Sequence, residues 1–212
     1  MIESVRAMAG AAVLLPGAAL SEGHAADPVP EKNQMKDGQV LHGQFVQERH
    51  LSGFAAPLKS TGDFVLAPGW GLIWNATTPF AITTVMSPAG LLQEVRGKKT
   101  MQLAATKLPF MSKLYVMLSG ALTGDSSALM STFNVVWTPR DGGWSLVLTP
   151  LKPDDPNLPI KAITANGSEF VDEIDVVKPD GDHDHLIFRN QQIETRALNG
   201  MEADLLRAVA KQ

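Results

Sequence analysis

The chain contains no cysteine, so disulfides, thiol catalysis, cysteine-ligated zinc and a lipidated N-terminal cysteine are all excluded. Basic residues are also sparse. Lys98-Lys99 is the longest basic run, the net charge is −4, and no basic stripe interleaves with aromatics. Nucleic acid is therefore not a partner the sequence suggests. No phosphate-cradling glycine loop is present, and Ser126-Ser127 lacks the flanking glycines of a nucleophile elbow. No catalytic residue is nominated, and the chain reads as a non-enzyme. The apolar run Ala7–Leu20 is too short to cross a bilayer and is broken by Pro16-Gly17.

What is present is an ordinary globular composition, 44% hydrophobic and 19% charged over 212 residues. Residues 1–26 read as a cleaved signal peptide: Arg6 precedes the Ala-rich run, and Gly23-His24-Ala25 offers the small residues a signal peptidase requires. The expected location is the periplasm. Residues 27–38, polar with two prolines, read as a flexible lead-in to one domain over 39–212. Without disulfides that domain must be held by its core alone.

The strongest pattern lies between Phe45 and Phe80. Large apolar residues recur at every second position in three short segments separated by Gly and Pro. This predicts strands near 40–51, 58–67, 71–77, 80–87, 90–97 and 99–104. A helical spacing of apolar residues follows from Phe110 to Leu122, and Asp125 is placed to cap a second short helix through Met130. Strands resume in the hairpin Phe133–Trp137 and Trp144–Leu148, turning at Arg140-Asp141-Gly142-Gly143. The proline-rich stretch 150–159 reads as a loop, followed by strands at 160–165, 169–177 and 185–189. A C-terminal helix is expected over 200–211. The fold class is mainly β: a single curved antiparallel sheet forming a half-open β-barrel closed by short helices.

Alternation nominates residues facing a shared apolar cavity: Phe45, Phe64, Leu66, Leu72, Trp74 and Phe80 in the first half, then Phe133, Val135, Leu146 and Leu148 in the second. Met111, Leu114, Leu118 and Leu122 would face it from a helical plug over 108–131. Methionine suits that place because its unbranched thioether repacks around variable shapes. Each of these residues is equally at home in plain core, so the expectation concerns the set. His183 and His185 alternate on one strand face, but no third ligand follows at a defined spacing. The stretch Asp180–His185 reads as a solvated turn, and no metal or cofactor is assigned.

The order of these motifs resembles the LolA-like outer-membrane lipoprotein carrier family, in its divergent branch. The resemblance rests on Phe45-x-Gln47-x-Arg49-x-Leu51, Pro57-Leu58-x-Ser60-x-Gly62-x-Phe64, Gly71-Leu72-x-Trp74 with Pro79-Phe80, and Trp144-x-Leu146-x-Leu148-x-Pro150. Gly124-Asp125 ahead of Leu129 and Phe133, and Gly181-Asp182 with Asn190, extend it across residues 39–190. It implies a monomeric periplasmic carrier of lipoprotein acyl chains or related lipids. Such a carrier would receive cargo from an inner-membrane transporter and pass it to an outer-membrane acceptor. A lipid sensor or an exporter-associated binding module is the alternative use of the same half-barrel. One departure stands out. The family's Arg-Pro-x-x-Phe-x-Trp pattern, in which the arginine latches the lid, is replaced here by Ala67-Pro68-Gly69-Trp70-Gly71-Leu72-Ile73-Trp74.

Overall fold

A computed structural model describes residues 35–36, 38–107, 115, 127–153, 155 and 158–210. Eleven strands form one antiparallel sheet: β1 (Gln39–His50), β2 (Leu58–Ala67), β3 (Gly71–Thr78), β4 (Ile82–Ser87), β5 (Gly90–Val95), β6 (Lys98–Ala104), β7 (Phe133–Arg140), β8 (Gly143–Pro150), β9 (Ala162–Gly167), β10 (Val171–Val177) and β11 (His183–Thr195). Their spatial order is β6-β5-β4-β3-β2-β1-β11-β10-β9-β8-β7. Every neighbouring pair is a sequential hairpin except β1 with β11, which pair at the centre. The sheet is not closed, and β6 and β7 are its edges. The described residues also hold a 3-10 turn at Ala105–Lys107 and two α-helices, α1 (Ser127–Met130) and α2 (Gly200–Ala210).

Register carries one apolar face across the whole sheet. Leu41 lies opposite Leu66 on β2 and Ile193 on β11, Leu66 opposite Leu72, and Phe45 opposite Phe188. The same parity continues through Leu186, Ile174, Ala165 and Leu146 to Trp137 on the far edge strand. On this face two clusters form. One gathers Met35, Leu41, Phe45, Phe64, Leu66 and Leu72, and the other is centred on Phe133, Trp144, Leu146, Leu148 and Ile163. Leu129 of α1 and Leu158 and Ile160 of the β8–β9 loop pack into the second. Met35 belongs to the stretch read as a flexible lead-in, yet it is buried. Thus the packed core begins ahead of β1.

On the opposite face an apolar cluster is packed beneath α2. Ile73, Val85 and Leu92, from three adjacent strands, are covered by Leu206 and Val209 of the helix. The C-terminal helix therefore docks on the face away from the aromatic cluster. Its start is fixed locally. The Glu202 backbone N–H donates to Asn199 Oδ1 and the Asn199 N–H donates to Glu202 Oε2, both at 2.9 Å, a reciprocal capping box. Arg196 grips the two oxygens of Glu202 at 2.7 and 2.9 Å. At the other end, Gln102 Nε2 of β6 donates to the carbonyls of Ala208 and Val209, satisfying groups the helix leaves unpaired.

Strand β11 is much longer than the 185–189 expected from sequence. Asn190 adopts a left-handed backbone (φ 53°), and the β1–β11 register slips there, between His42 and Gln44. After that irregularity pairing resumes, and Ile193 returns to the apolar face opposite Leu41.

Candidate functional site: an apolar sheet face

The aromatic cluster on the apolar face is built from matched glycines and phenylalanines. Strand β1 carries Gly43-x-Phe45 and strand β2 carries Gly62-x-Phe64. Their antiparallel register sets Gly43 opposite Phe64 and Phe45 opposite Gly62. Each ring thus gains space where its cross-strand partner has no side chain. A Cβ on Gly43 would come within 2.9 Å of the Phe64 ring. Phe45 reaches across β2 to stack on Trp74 of β3, with centroids 3.7 Å apart and planes at 23°. Phe188 meets Phe64 and Trp74 edge-on, at 5.5 and 6.1 Å. Such pairs contribute about 0.5–1.5 kcal/mol each beyond area burial.

Of the residues nominated from sequence, Phe45, Phe64, Leu66 and Leu72 are buried together here, with Trp74 packed against them. Phe133, Leu146 and Leu148 are buried in the second cluster on the same face, with Val135 beside them. Phe80 follows Pro79 in the β3–β4 turn, past Thr78, the last residue of β3, and is 60% exposed. Met111, Leu114, Leu118 and Leu122 lie outside the described residues, as does most of the 108–131 plug. Leu41, Phe188, Ile193, Ile174 and Val176 also pack on this face and were not nominated. For Phe188 the signal was available, since Leu186 and Phe188 alternate in the predicted 185–189 strand.

Polar groups on this face are few. At the β1–β2 loop end, Asp184 is buried and accepts hydrogen bonds from Arg49 Nε at 2.7 Å and Gln47 Nε2 at 3.3 Å, with Lys178 Nζ at 2.9 Å. Burial pushes its carboxyl up, but the Arg49 and Lys178 partners outweigh that and hold it below the ordinary aspartate value. At the other end the two indoles of the β7–β8 hairpin differ. Trp144 Nε1 donates to the Ser168 carbonyl at 3.1 Å, whereas Trp137 Nε1 is buried with no hydrogen-bond partner among the described residues.

The reverse face over β1, β10 and β11 mixes polar side chains with apolar ones such as the Val46–Ile187 pair. His183 does not converge with His185. It stacks on His50 of β1, centroids 4.2 Å apart and planes at 6°, while His185 Nδ1 sits 2.8 Å from Asp175 Oδ1. Among the described residues no group of three or more His, Asp or Glu is set to hold a metal ion. A cleft of about 340 Å³ on this face is lined by Gln44, Val46, Thr61, Asp63, Thr77 and Arg189, and bordered by Phe45 and Gly62. Its carboxylate and guanidinium make it a poor seat for hydrocarbon. Among the described residues no helix is long and apolar enough to cross a membrane.

No family model matches the chain, and no curated protein matches it. Similar solved structures include a LolA superfamily protein from Nitrosomonas europaea, with 10% identity and TM-score 0.40 over 81% of this chain and 92% of that one. A Vibrio parahaemolyticus domain assigned to outer-membrane lipoprotein sorting shares 9% identity at TM-score 0.40, over 84% and 93% of the two chains. A DUF1329 family protein from Desulfovibrio piger shares 8% at TM-score 0.40, over 82% and 91%. The architecture itself rests on this chain's own strand order and register.

Proposed function

We propose that the protein is a non-enzymatic periplasmic carrier that holds acyl chains of lipoproteins or related lipids against the apolar face of its sheet and delivers them toward the outer membrane. One observation carries this reading. The apolar parity runs unbroken from Leu103 on β6 to Phe133 on β7, and the face is rich in aromatic rings rather than chemistry-bearing side chains. Hydrocarbon in water costs about 0.8 kcal/mol per CH₂, so a carrier needs broad apolar cover with few polar anchors. Partners at an inner-membrane transporter and an outer-membrane acceptor belong to the same proposal, as do the leader and the lid over 108–131.

Native mass spectrometry of protein recovered from periplasmic extract tests it. Co-purified lipid or lipoprotein, and uptake of a fluorescent acyl probe by stripped protein, are the expected results. Protein that is recovered empty and takes up no probe would refute the carrier reading.

A further inference from the structure

Trp137 occupies an unusual position for an indole. It lies on edge strand β7, directly opposite Leu146 of β8, and packs into the cluster of Phe133, Leu146 and Leu148. Its Nε1 is buried, and among the described residues no acceptor lies within hydrogen-bond distance. Its neighbour on the hairpin shows that an acceptor can be supplied. Trp144, opposite Pro139, donates to the Ser168 carbonyl at 3.1 Å. A buried donor left unmade costs about 1–3 kcal/mol, so an indole placed this way is retained against a stability penalty.

The surroundings narrow what can accept this hydrogen bond. Water is a poor occupant, since a buried water needs two to four polar partners and the cluster that Trp137 packs against is apolar. A carboxylate is no better, because a single neutral N–H cannot offset the desolvation of a full charge. A neutral carbonyl attached to hydrocarbon fits both constraints: its oxygen accepts one bond, and the rest of the molecule matches the leucines and phenylalanine. Building on the carrier reading above, we propose that Trp137 Nε1–H is the polar anchor of the site. It would donate to the ester or amide carbonyl at the head of a bound acyl chain, fixing how far the chain slides along the sheet face.

The test uses the full chain and Trp137→Phe, which keeps a ring and removes the donor. Displacement of N-phenyl-1-naphthylamine by methyl hexadecanoate is compared with displacement by hexadecane. The variant should weaken the ester about three- to tenfold, the range of one net hydrogen bond, and change the alkane less than about twofold. A second measurement needs no variant. Methyl hexadecanoate labelled with ¹³C at the carbonyl should show a C=O stretch moved to lower frequency when bound to the wild-type protein. Equal effects on ester and alkane, or an unmoved carbonyl band, would overturn the anchor while leaving the carrier reading intact. Wild-type protein that binds neither ligand would overturn both.

Discussion

Replacing Gly62 with alanine tests whether the aromatic cluster depends on the bare position beneath it. A Cβ built there lies 1.9 Å from the Asn75 carbonyl oxygen, 2.8 Å from its carbon and 2.9 Å from Ala76 Cα, all backbone atoms of β3. Real Cβ contacts essentially never fall below 3.0 Å, so the Asn75 carbonyl must retreat by more than an ångström-scale rotamer adjustment allows. No side-chain movement relieves this clash. Strand β3 has to shift, and it carries Trp74, whose stack on Phe45 spans β2 at this level. Overpacking costs typically about 1–3 kcal/mol, and loosening the stack adds about 0.5–1.5 kcal/mol. The expected loss for Gly62→Ala is therefore about 3 kcal/mol or more. Gly43→Ala is the internal comparison. Its nearest neighbours are side-chain atoms, Phe64 Cε1 at 2.9 Å and Gln191 Cγ at 3.0 Å, which need yield only a few tenths of an ångström. It should cost about 1 kcal/mol, at the low end of overpacking. Urea unfolding at constant pH gives both values, and near-UV circular dichroism reports the Trp74 environment. A Gly62→Ala protein within about 0.5 kcal/mol of wild type, the scatter of neutral surface changes, would refute the reasoning. So would a Gly43→Ala penalty larger than that of Gly62→Ala.

Asn199→Ala removes one arm of the capping box on α2 and should lower stability by about 1 kcal/mol; an unchanged thermal midpoint would mean the cap contributes nothing. Phe133, 1% exposed at the start of β7, should cost about 3–5 kcal/mol as Phe133→Ala in urea; a loss below 1 kcal/mol would show that the second cluster is not packed as described. Acid should weaken the fold through Asp184 and Glu202. The Arg196 guanidinium holds the Glu202 carboxyl low against the upward push of burial, and Asp184 is likewise depressed. Because both folded-state values lie below the ordinary 3.8 and 4.5, their stabilisation is complete above that range and is lost as pH falls through the lower folded values. Urea midpoints followed downward from pH 6 should fall less steeply in an Asp184→Asn, Glu202→Gln double variant; an identical slope would exclude these two groups as the cause.

Much of the wall was legible because a half-buried strand writes its burial into every second residue. Phe64, Leu66, Leu72 and Trp74 could be assigned to one face before any pairing was known. Phe80 stands apart from that set because the ladder stops at Thr78, and a residue of the following turn is not held by strand alternation. The length of β11 was hidden by Asn190-Gln191-Gln192, polar residues at an irregularity that the pairing with β1 bridges. That pairing joins residues far apart in sequence, so no local pattern reports it. The docking face of α2 was equally hidden. An amphipathic stripe shows that a helix must cover something, and here only Ile73, Val85 and Leu92, alternating out of phase with the aromatic set, reveal what. The pairing of each glycine with a phenylalanine needed only the β1–β2 register to become visible. Trp137 alternates plainly onto the apolar face, but that its N–H meets no acceptor among the described residues is a property of the packing that no sequence pattern reports.

The strand order has a consequence for how the chain reaches this state. Eleven strands pair only with sequential neighbours once β1 is allowed to follow β11, so the sheet is a simple up-and-down ribbon whose cut falls between β6 and β7 rather than at the chain ends. Every hairpin can form from local contacts, and a single distant pairing, β1 with β11, must then close across almost the whole sequence. The β1–β11 contact is thus the seam where two independently forming ribbons are sewn into one, and the aromatic cluster sits on it, with Phe45 on one side and Phe188 on the other. An apolar face assembled across that seam is complete only once this long-range pairing is made.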